Sequence, residues 1–582
     1  MVKAIFTAKH SVTENIPKHL QAYIAKQDPS LYTWIDHASW RFIMNLSQAF
    51  FAKAAHQKYL DGLKETGIST ERIPLISEMD ECLRRFQWRA VAVTGFIPPA
   101  VFMEFLSLGV LPIACDMRKL ENLAYTPAPD IVHEAAGHAP IIADPSYAEY
   151  LRSYGEISRK AIYSTQDMRV YEAIRLLSDT KEDPSSTPEQ VQRVQENLEV
   201  ALQSVTYVSE ATYLSRMGWW TFEYGLLGDV KHSKIYGAGL LSSLSESFHC
   251  FDSEVRKIPF SVECIQTSFD ITRPQPQLFV APSFQVLTDA LETLADQMAF
   301  RKGGREGLEK ALKAQTLTTT VLETGLQISG VLNHIEYSQE SIPSYLQFSG
   351  PVQLGFEDQE IDGHGVKTHS SGFGTPLIHS EELALFKKQL RVGQQVEFKF
   401  QSGVVLQGTF QREIKKGAQS LILSFQECTV RLGNQILFQP QWGMYDMACG
   451  FDVVSVFGGA ADREKYMEAL GGYHADPGRQ KSNLTPENQG LNQLYFKVRQ
   501  VREGYLNRTL PSESAERLLR EVYLELVRQY PQDWLLRMEL LELSQKWGLR
   551  LESESSIRED LNRFSESSPG LREIIQRGLE WV

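Results

Sequence analysis

The chain has 582 residues, of which 42% are hydrophobic and 23% are charged, a composition typical of folded globular proteins rather than disordered or collagen-like ones. Its formal net charge of −13 provides no broad cationic surface for phosphates, so we expect no nucleic-acid partner. Six cysteines without C-x-x-C spacing indicate neither a disulfide framework nor a thiolate zinc site. With no secretory signal and no apolar membrane span, the sequence predicts a soluble, cytoplasmic protein without a membrane partner. It leaves the oligomeric state open.

Helical periodicity dominates the chain from residue 36 to about residue 300, after an N-terminal segment at 1–35. Within this part, Thr187-Pro188-Glu189-Gln190 is a capping box with proline at the first helical position. It predicts the start of a long helix whose apolar face begins at Val191. The pattern predicts a mainly α domain at 36–300, and helical spacing continues through a connector at 301–344.

Short β-rich runs separated by glycine-containing turns replace the helical pattern at 345–460. These runs predict a small antiparallel β domain. Amphipathic helices resume at 461–582, so the predicted fold is multidomain: a mainly α domain, a small β-rich domain and a C-terminal helical region. The sequence indicates no function for the second half, and we expect its histidines, His364 and His369 among them, to lie at the surface rather than act as ligands.

The most informative motif is His133-Glu134-Ala-Ala-Gly137-His138. At 100° per residue, five residues separate two helical side chains by about 140°, so both imidazoles reach one ion only where the helix is distorted or ends. Gly137 permits such a distortion. Two imidazoles and a carboxylate on one side of an ion form the facial triad of non-haem Fe(II) oxygenases, and a distant acid must then supply the third ligand. The alternative is a pair of structural histidines.

Glu223 is the candidate for that distant acid. It lies in the aromatic segment 218–226, where an unpaired carboxylate would be costly unless it met a cation. A solvent-facing glutamate on an amphipathic helix is the alternative. The segment 236–246 combines small residues with hydroxyls such as Ser242, which can bring backbones close together and orient a ligand histidine. A tight helix contact would use the same residue types.

The segments 125–140, 219–226 and 236–246, in this order, resemble the catalytic domain of the aromatic amino acid hydroxylases, the iron- and tetrahydropterin-dependent enzymes that act on phenylalanine, tyrosine and tryptophan. The resemblance covers roughly residues 36–300 and is greatest to bacterial phenylalanine 4-monooxygenase-like proteins, here with a C-terminal extension. It implies that Fe(II) is bound by His133, His138 and Glu223. It also implies tetrahydrobiopterin or a related tetrahydropterin as cofactor and O2 as cosubstrate.

The same resemblance implies substrate-binding residues, by position within the family pattern. Arg118 would hold the carboxylate of a free aromatic amino acid, since a planar bidentate donor suits that group, and Thr126 would assist it. The pocket for the aromatic ring would be lined by Pro129, Trp219, Gly239 and Ile271. Ser242 would hydrogen-bond to His133, with Glu246 as a further support.

For the cofactor, the resemblance places Glu134 where the family has an acid that reaches the pterin through water. Phe102 falls where the family stacks a ring on the pterin, and Gly95 and Ile97 fall where the backbone contacts it. Ordinary core packing is the alternative for these last three residues. Gly218 departs from the family, which has an aromatic residue there.

The segment between His138 and Glu223 looks longer than in the animal enzymes, which predicts a helical insertion containing the Val191 helix. Trp219 resembles the phenylalanine and tyrosine hydroxylases more than the tryptophan ones. Ile271 offers nothing to a phenol hydroxyl, which favours hydroxylation of phenylalanine to tyrosine, although Asp270 would face the pocket if the register differed by one residue. Tryptophan or tyrosine hydroxylation, a zinc metallohydrolase and a non-catalytic binding or regulatory protein are the alternatives.

Overall fold

A computed structural model describes residues 13, 15–123, 129–182, 186–271, 273–338, 340–471, 478–567 and 569–582. In these residues, no helix combines the length and the apolar character that crossing a membrane requires. Five of the six cysteines are buried, and all six are free thiols.

Helices make up most of the described chain up to Ala314, as predicted. The capping box at Thr187 is confirmed: its side chain accepts from the Gln190 N–H while the Gln190 side chain caps Thr187 in return. The helices are α1 (Lys18–Gln21), α2 (Trp34–Ala54), α3 (Tyr59–Glu65), α4 (Ile76–Leu83), α5 (Pro99–Ser107), α6 (Ala139–Ile141), α7 (Pro145–Ser158), α8 (Thr165–Glu182), α9 (Pro188–Gln203), α10 (Glu210–Gly218), α11 (Ala238–Ser242), α12 (Glu246–His249), α13 (Phe284–Ala295), α14 (Ala299–Lys302) and α15 (Gly304–Ala314).

Two small sheets complete this half. Strands β1 (Arg89–Val93) and β2 (Val110–Ala114) pair in parallel, with α5 as the crossover between them. The other sheet has the strand order β4-β3-β6-β5, with β3 (Leu226–Leu227), β4 (Lys234–Ile235), β5 (Arg256–Pro259) and β6 (Gln277–Ala281).

The β-rich part starts earlier than predicted. Residues 301–344 were expected to form a helical connector, but the helices end at Ala314 and two strands follow. The first of these strands contains Thr318, Thr319 and Thr320, all fully buried. β-Branched threonines fit a pleated, buried surface, so they mark this strand better than the apolar spacing does. The strands are β7 (Leu317–Leu322), β8 (Leu326–Tyr337), β9 (Pro343–Phe356), β10 (Gln359–Glu360), β11 (Gly372–Pro376), β12 (Gln395–Lys399), β13 (Val404–Lys416), β14 (Gln419–Leu432), β15 (Gln435–Phe438), β16 (Tyr445–Ala448) and β17 (Val453–Gly458).

These strands form two antiparallel sheets rather than one. The first has the order β10-β9-β8-β7-β17, with β11 also paired to β9. The second has the order β12-β13-β14-β15, with β16 also paired to β14, and helix α16 (Ser380–Gln389) packs beside it. The two sheets share their hydrophobic clusters, since Ile422 of β14 and Ala448 of β16 join the cluster of the first sheet and Tyr345 of β9 joins that of the second.

The last five C-terminal helices join the main hydrophobic core of the first half instead of building a separate one, while the first packs in a small cluster with Val366 and Ala460. The ring of Phe42 on α2 packs edge-on against Trp534 at 5.3 Å between centroids. The buried Arg41, also on α2, donates to Glu542 at 2.5 Å, and Arg502 donates to the same carboxylate at 2.9 Å. Although burial raises the pKa of Glu542, the two guanidinium groups outweigh it and hold this pKa below its usual range. The helices are α17 (Arg463–Ala469), α18 (Gln489–Leu506), α19 (Ser512–Gln529), α20 (Leu535–Trp547), α21 (Glu554–Ser567) and α22 (Pro569–Trp581).

Candidate active site

The two histidines of the motif lie on a π-helical turn that spans His133–His138. A π-helix has hydrogen bonds from i to i+5, so residues five apart lie on the same side of the turn. This geometry confirms the predicted distortion of the helix. A second π-helical turn, Trp219–Glu223, ends at the candidate acid.

Local features of the sequence fix both turns. Asp130 directly precedes the helical stretch that contains the first turn, and its Oδ1 accepts the N–H of His133 at 3.2 Å, as the side chain of an N-cap does. Gly137 allows α11 to approach closely, because a Cβ at this position would lie 2.8 Å from the Cβ of Ala238. Gly239, on the same helix, would place a Cβ 2.6 Å from the Tyr224 ring. Helix α11 is therefore pressed against both π-helical turns.

His133, His138 and Glu223 converge, and we call these three residues the catalytic cluster. The Nε2 atom of His133 lies 3.2 Å from Oε2 of Glu223, and the Nε2 atom of His138 lies 3.2 Å from Oε1. The side chain of His138 is 2% exposed, whereas those of His133 and Glu223 are 21% and 18% exposed. The cluster is thus closed on the His138 side and open on the other.

Hydrogen bonds orient both imidazoles. The Ser242 hydroxyl donates its single proton to the Ala238 carbonyl at 2.7 Å, so it accepts from Nδ1 of His133 at 3.1 Å. The Nε2 lone pair of a neutral His133 then points at the Glu223 carboxylate. Nδ1 of His138 lies 3.3 Å from the Tyr147 hydroxyl, and its buried Nε2 has no hydrogen-bond partner among the described residues. Acceptor atoms that face a carboxylate in this way fit a cation between them.

The pKa values in the catalytic cluster also favour a cation at its centre. Burial lowers the pKa of His133, but the charge and hydrogen bond of Glu223 outweigh it and raise this pKa to about 9. The two histidines in turn hold the pKa of Glu223 well below its usual range, despite its burial. The neighbouring Glu134 accepts from the Ala114 N–H at 3.3 Å, and burial raises its pKa to about 7. The site therefore favours positive charge at its centre.

Arg118 is fully buried beside this cluster. Its Nε and Nη2 atoms donate to the two oxygens of Asp130 at 2.7 and 2.8 Å, and Nη1 donates to the Ser242 carbonyl at 3.0 Å. These bonds use three of the five guanidinium N–H groups. Because Asp130 also holds His133, one carboxylate positions both the guanidinium and the first histidine. Thr126, which was predicted to assist Arg118, lies outside the described residues.

Asp130 was not singled out by the sequence analysis, although a signal for it exists. An acidic residue three positions before His133, directly ahead of a helix, is a typical N-cap. Tyr147, which contacts His138, was also missed. It lies on α7, and nothing in the local sequence links it to the histidine motif.

The predicted wall of the aromatic pocket is rigid. The Trp219 indole stacks on Phe269 at 4.3 Å between centroids and on Tyr224 at 4.6 Å, and it donates to Gln275 at 3.2 Å. Half-buried Ile271 follows Phe269 in the same loop, and half-buried Pro129 directly precedes Asp130. The exposed carboxylate of Asp270 instead lies 3.3 Å from the exposed Arg273 guanidinium, which argues against the alternative register.

The residues predicted to contact a pterin follow β1. Gly95 is exposed, has a φ of 57°, and donates its N–H to Asp116 at 3.4 Å. Ile97 packs in a small apolar cluster and half-buried Phe102 packs against the main core. Glu246 is buried, which raises its pKa to about 7, and its Oε1 has no hydrogen-bond partner among the described residues. The roles of Gly95, Ile97, Phe102 and Glu246 stay predictions.

A family model described as biopterin-dependent aromatic amino acid hydroxylase matches residues 17–168 and 191–347. The chain belongs to this family. The match extends into β9, beyond the predicted end of the catalytic domain at residue 300. It is interrupted at 169–190, a stretch that covers most of α8, the loop after it and the first three residues of α9, while the rest of the Val191 helix lies within the match.

Named relatives share the hydroxylase part of the chain. Phenylalanine-4-hydroxylase from Ralstonia nicotianae is 30% identical over 271 residues, which are 46% of this chain and 72% of the relative. Phenylalanine-4-hydroxylase from Pseudomonas aeruginosa is 28% identical over 46% of this chain and 86% of its own length. The crystal structure of Chromobacterium violaceum phenylalanine hydroxylase with bound iron(III) and oxidised 7,8-dihydrobiopterin has 25% identity and a TM-score of 0.37, over 50% of this chain and 93% of that one.

Proposed function

We propose that this chain is an iron- and tetrahydropterin-dependent monooxygenase that hydroxylates the ring of free phenylalanine, giving tyrosine, with O2 as cosubstrate. The convergence of His133, His138 and Glu223 carries the proposal, because acceptor atoms of two oriented imidazoles face one carboxylate. Membership of a biopterin-dependent hydroxylase family and relatives named phenylalanine-4-hydroxylase support it.

In this proposal the catalytic cluster holds Fe(II) through two neutral imidazoles and one carboxylate, the set typical of non-haem iron oxygenases. The iron together with the tetrahydropterin supplies the activation of O2. The three ligands lie on one side, and the exposed side of His133 and Glu223 leaves room for substrate. Ser242 fixes the tautomer of His133, and a hydrogen bond of this kind strengthens a ligand. Glu246 would support the same region by its buried position.

Arg118 would bind the substrate carboxylate through its remaining N–H groups, assisted by Thr126. Because Asp130 holds both Arg118 and His133, the distance from the carboxylate site to the iron is fixed before substrate binds. The ring of the amino acid would then lie against a wall formed by Pro129, Trp219, Gly239 and Ile271. Apolar Ile271, and the contact of Asp270 with Arg273, favour phenylalanine over tyrosine. Tyrosine and tryptophan are the alternative substrates.

The pterin would lie on the side of the cluster reached by Glu134, which would contact it through water. Phe102 would stack on the pterin ring, and Gly95 and Ile97 would contact it through their backbones. The hydrogen bond from Gly95 to Asp116 supports a fixed shape for this loop.

The test is a product analysis of purified, iron-loaded protein with tetrahydrobiopterin, O2 and each of phenylalanine, tyrosine and tryptophan. We expect phenylalanine to be converted mainly to tyrosine. This conversion should stop when either the pterin or O2 is omitted. If tryptophan or tyrosine were hydroxylated faster than phenylalanine, that amino acid would be the substrate instead of phenylalanine. Activity that depends on zinc but on neither pterin nor O2 would contradict the proposal, as would protein that binds no iron.

A further inference from the structure

A second group of metal-ligating side chains lies in the β-rich part of the chain. His364 and His369 lie in the loop between β10 and β11, which belong to the six-stranded sheet, and Asp446 lies on β16 of the other sheet. We call these three residues the second cluster. Contrary to the sequence expectation, both histidines are buried, because the loop folds back onto β9 and is covered by the second sheet.

The donor atoms of the second cluster are spaced for one metal ion. Nδ1 of His364 lies 3.2 Å from Nε2 of His369, and Oδ2 of Asp446 lies 3.7 and 3.9 Å from these two nitrogens. The circle through the three atoms has a radius of about 2.1 Å, which agrees with the roughly 2.0–2.2 Å at which imidazole and carboxylate bind zinc. An ion at its centre would reach all three atoms at a normal distance.

Surrounding hydrogen bonds hold each of these side chains in place. The Ser424 hydroxyl donates to Oδ1 of Asp446 at 2.5 Å, which leaves Oδ2 directed at the two imidazoles. The carbonyls of His364 and His369 accept the N–H groups of Leu354 and Val352 on β9 at 2.9 and 3.0 Å. Hydrogen bonds of this kind orient the ligands of metal sites.

A hydrogen-bond network without a metal explains the second cluster less well. In such a network the two imidazoles share a proton at 3.2 Å, and Arg412 donates to Nε2 of His364 at 3.4 Å. Asp446 Oδ2 would then remain 3.7 and 3.9 Å from both rings, too far for a hydrogen bond. A cation would use all three atoms. Because Arg412 is an exposed residue, its guanidinium can turn into the solvent when an ion binds.

We propose that His364 Nδ1, His369 Nε2 and Asp446 Oδ2 bind a zinc ion that fastens the loop after β10 to β16. Two imidazoles and a carboxylate suit zinc, with a water molecule as the fourth ligand. The three side chains are 0%, 9% and 4% exposed, so the ion has a structural role in joining the two sheets. The site is independent of the proposed hydroxylation.

Zinc titration of the full-length chain tests this site once the catalytic cluster is disabled. In the double variant His133→Ala/His138→Ala, stripped of metal with a chelator, we expect one zinc per chain by competition with a chromophoric chelator. Adding His369→Ala or Asp446→Asn should abolish this binding. The matched control is His334→Ala in the same background, since His334 is exposed on β8 and bonded to Glu336, and it should keep one zinc.

Two results would overturn the proposal: a double variant that binds no zinc, or bound zinc that persists after both His369→Ala and Asp446→Asn. In case the added substitutions unfold the β-rich part, zinc-edge X-ray absorption is measured on the double variant alone. Imidazole scattering with nitrogen and oxygen at about 2.0–2.1 Å supports the site. Sulfur ligands, or oxygen ligands only, contradict it. Hydroxylation is not measured here, so failure of the proposed function leaves the result unaffected.

Discussion

Two clusters of the same composition lie in the two halves of this chain. Each contains two histidines five residues apart and one acidic residue from a distant segment. The catalytic cluster lies on π-helical turns and is partly open, whereas the second cluster joins a loop to a strand and is closed. The ligand side chains of the catalytic cluster reach 21% exposure and those of the second cluster 9%, so access from solvent rather than ligand type separates the two.

Among the four histidines of the two clusters, only His133 has a raised pKa, and burial lowers the pKa of the other three. In the catalytic cluster Glu223 lies 3.2 Å from both rings, and its charge raises the pKa of His133 to about 9 against the effect of burial. In the second cluster burial is the larger effect and lowers the pKa of His369 to about 4, against the charge of Asp446. His138 shows that distance to the acid does not decide the direction, because it lies as close to Glu223 as His133 does, yet burial lowers its pKa.

The largest effect is expected for His138→Ala in the catalytic cluster. Iron binding should be lost and phenylalanine hydroxylation should fall by more than a hundredfold, since losing even a group that only supports a ligand costs roughly 10–100-fold. Metal analysis and a tyrosine-formation assay measure both. The control is His232→Ala, which removes an exposed histidine. Full iron content and activity in His138→Ala would remove this residue from the ligand set.

The next effect is expected for Arg118→Lys. Lysine keeps the charge but cannot bridge Asp130 and a substrate carboxylate with a planar fork. We expect kcat/KM for phenylalanine to fall about 10–100-fold, the cost of roughly one charged hydrogen bond or two, with iron content retained. Arg175→Lys, on the exposed face of α8, is the control. An unchanged KM for phenylalanine would exclude Arg118 as the carboxylate site.

A pair of serine variants compares the two clusters directly. Ser242→Ala removes the hydroxyl that orients His133, and we expect iron affinity to fall about tenfold or more, with activity restored by excess iron. Ser424→Ala removes the equivalent support of Asp446 and should leave hydroxylation per iron unchanged while weakening zinc binding. Loss of hydroxylation in Ser424→Ala at full iron content would show that the clusters are coupled.

The catalytic cluster was within reach of sequence reasoning because its signals are local. Histidines five apart next to a glycine imply a distorted helix, and an acid in an aromatic segment implies a buried partner for a cation. Tyr147 carries no such signal, since α7 comes to His138 only through tertiary packing. The second cluster is similar in this respect: a loop and a strand have no periodicity that links His369 to Asp446.

For the fold, too, local signals were readable from the sequence and tertiary contacts were not. Capping and 3.6-residue periodicity predicted α9 and the C-terminal helices. The predicted start of the β-rich part was wrong because the three buried threonines of β7 do not alternate with apolar residues. The docking of the C-terminal helices onto α2 was not predicted, since periodicity identifies a buried face but not its partner. Arg41 illustrates this, because this buried residue of α2 bonds to Glu542 of the distant helix α20 as well as to Glu71.

The smallest effect on activity is expected where the two halves meet, at Glu104 on α5. Its carboxylate hydrogen-bonds with His19 at 2.8 Å and accepts from Arg463, at the start of α17, at 2.6 Å. Burial raises the pKa of Glu104, but these two partners outweigh it and lower the pKa to about 2. Glu104→Gln should therefore reduce the free energy of unfolding by about 3 kcal/mol at pH 7, with hydroxylation per iron unchanged.

The pH dependence of this loss identifies its cause. The folded-state pKa lies below the unfolded value of about 4.3, so the ionised carboxylate stabilises the fold above that pH. This contribution disappears as the pH falls from about 4.3 towards 2, and the difference in Tm between wild type and Glu104→Gln should shrink over the same interval. Glu149→Gln, an exposed acid on α7, should show no such difference. A Tm difference that stays constant from pH 7 to pH 3 would mean that packing, rather than the charge on Glu104, joins the two halves.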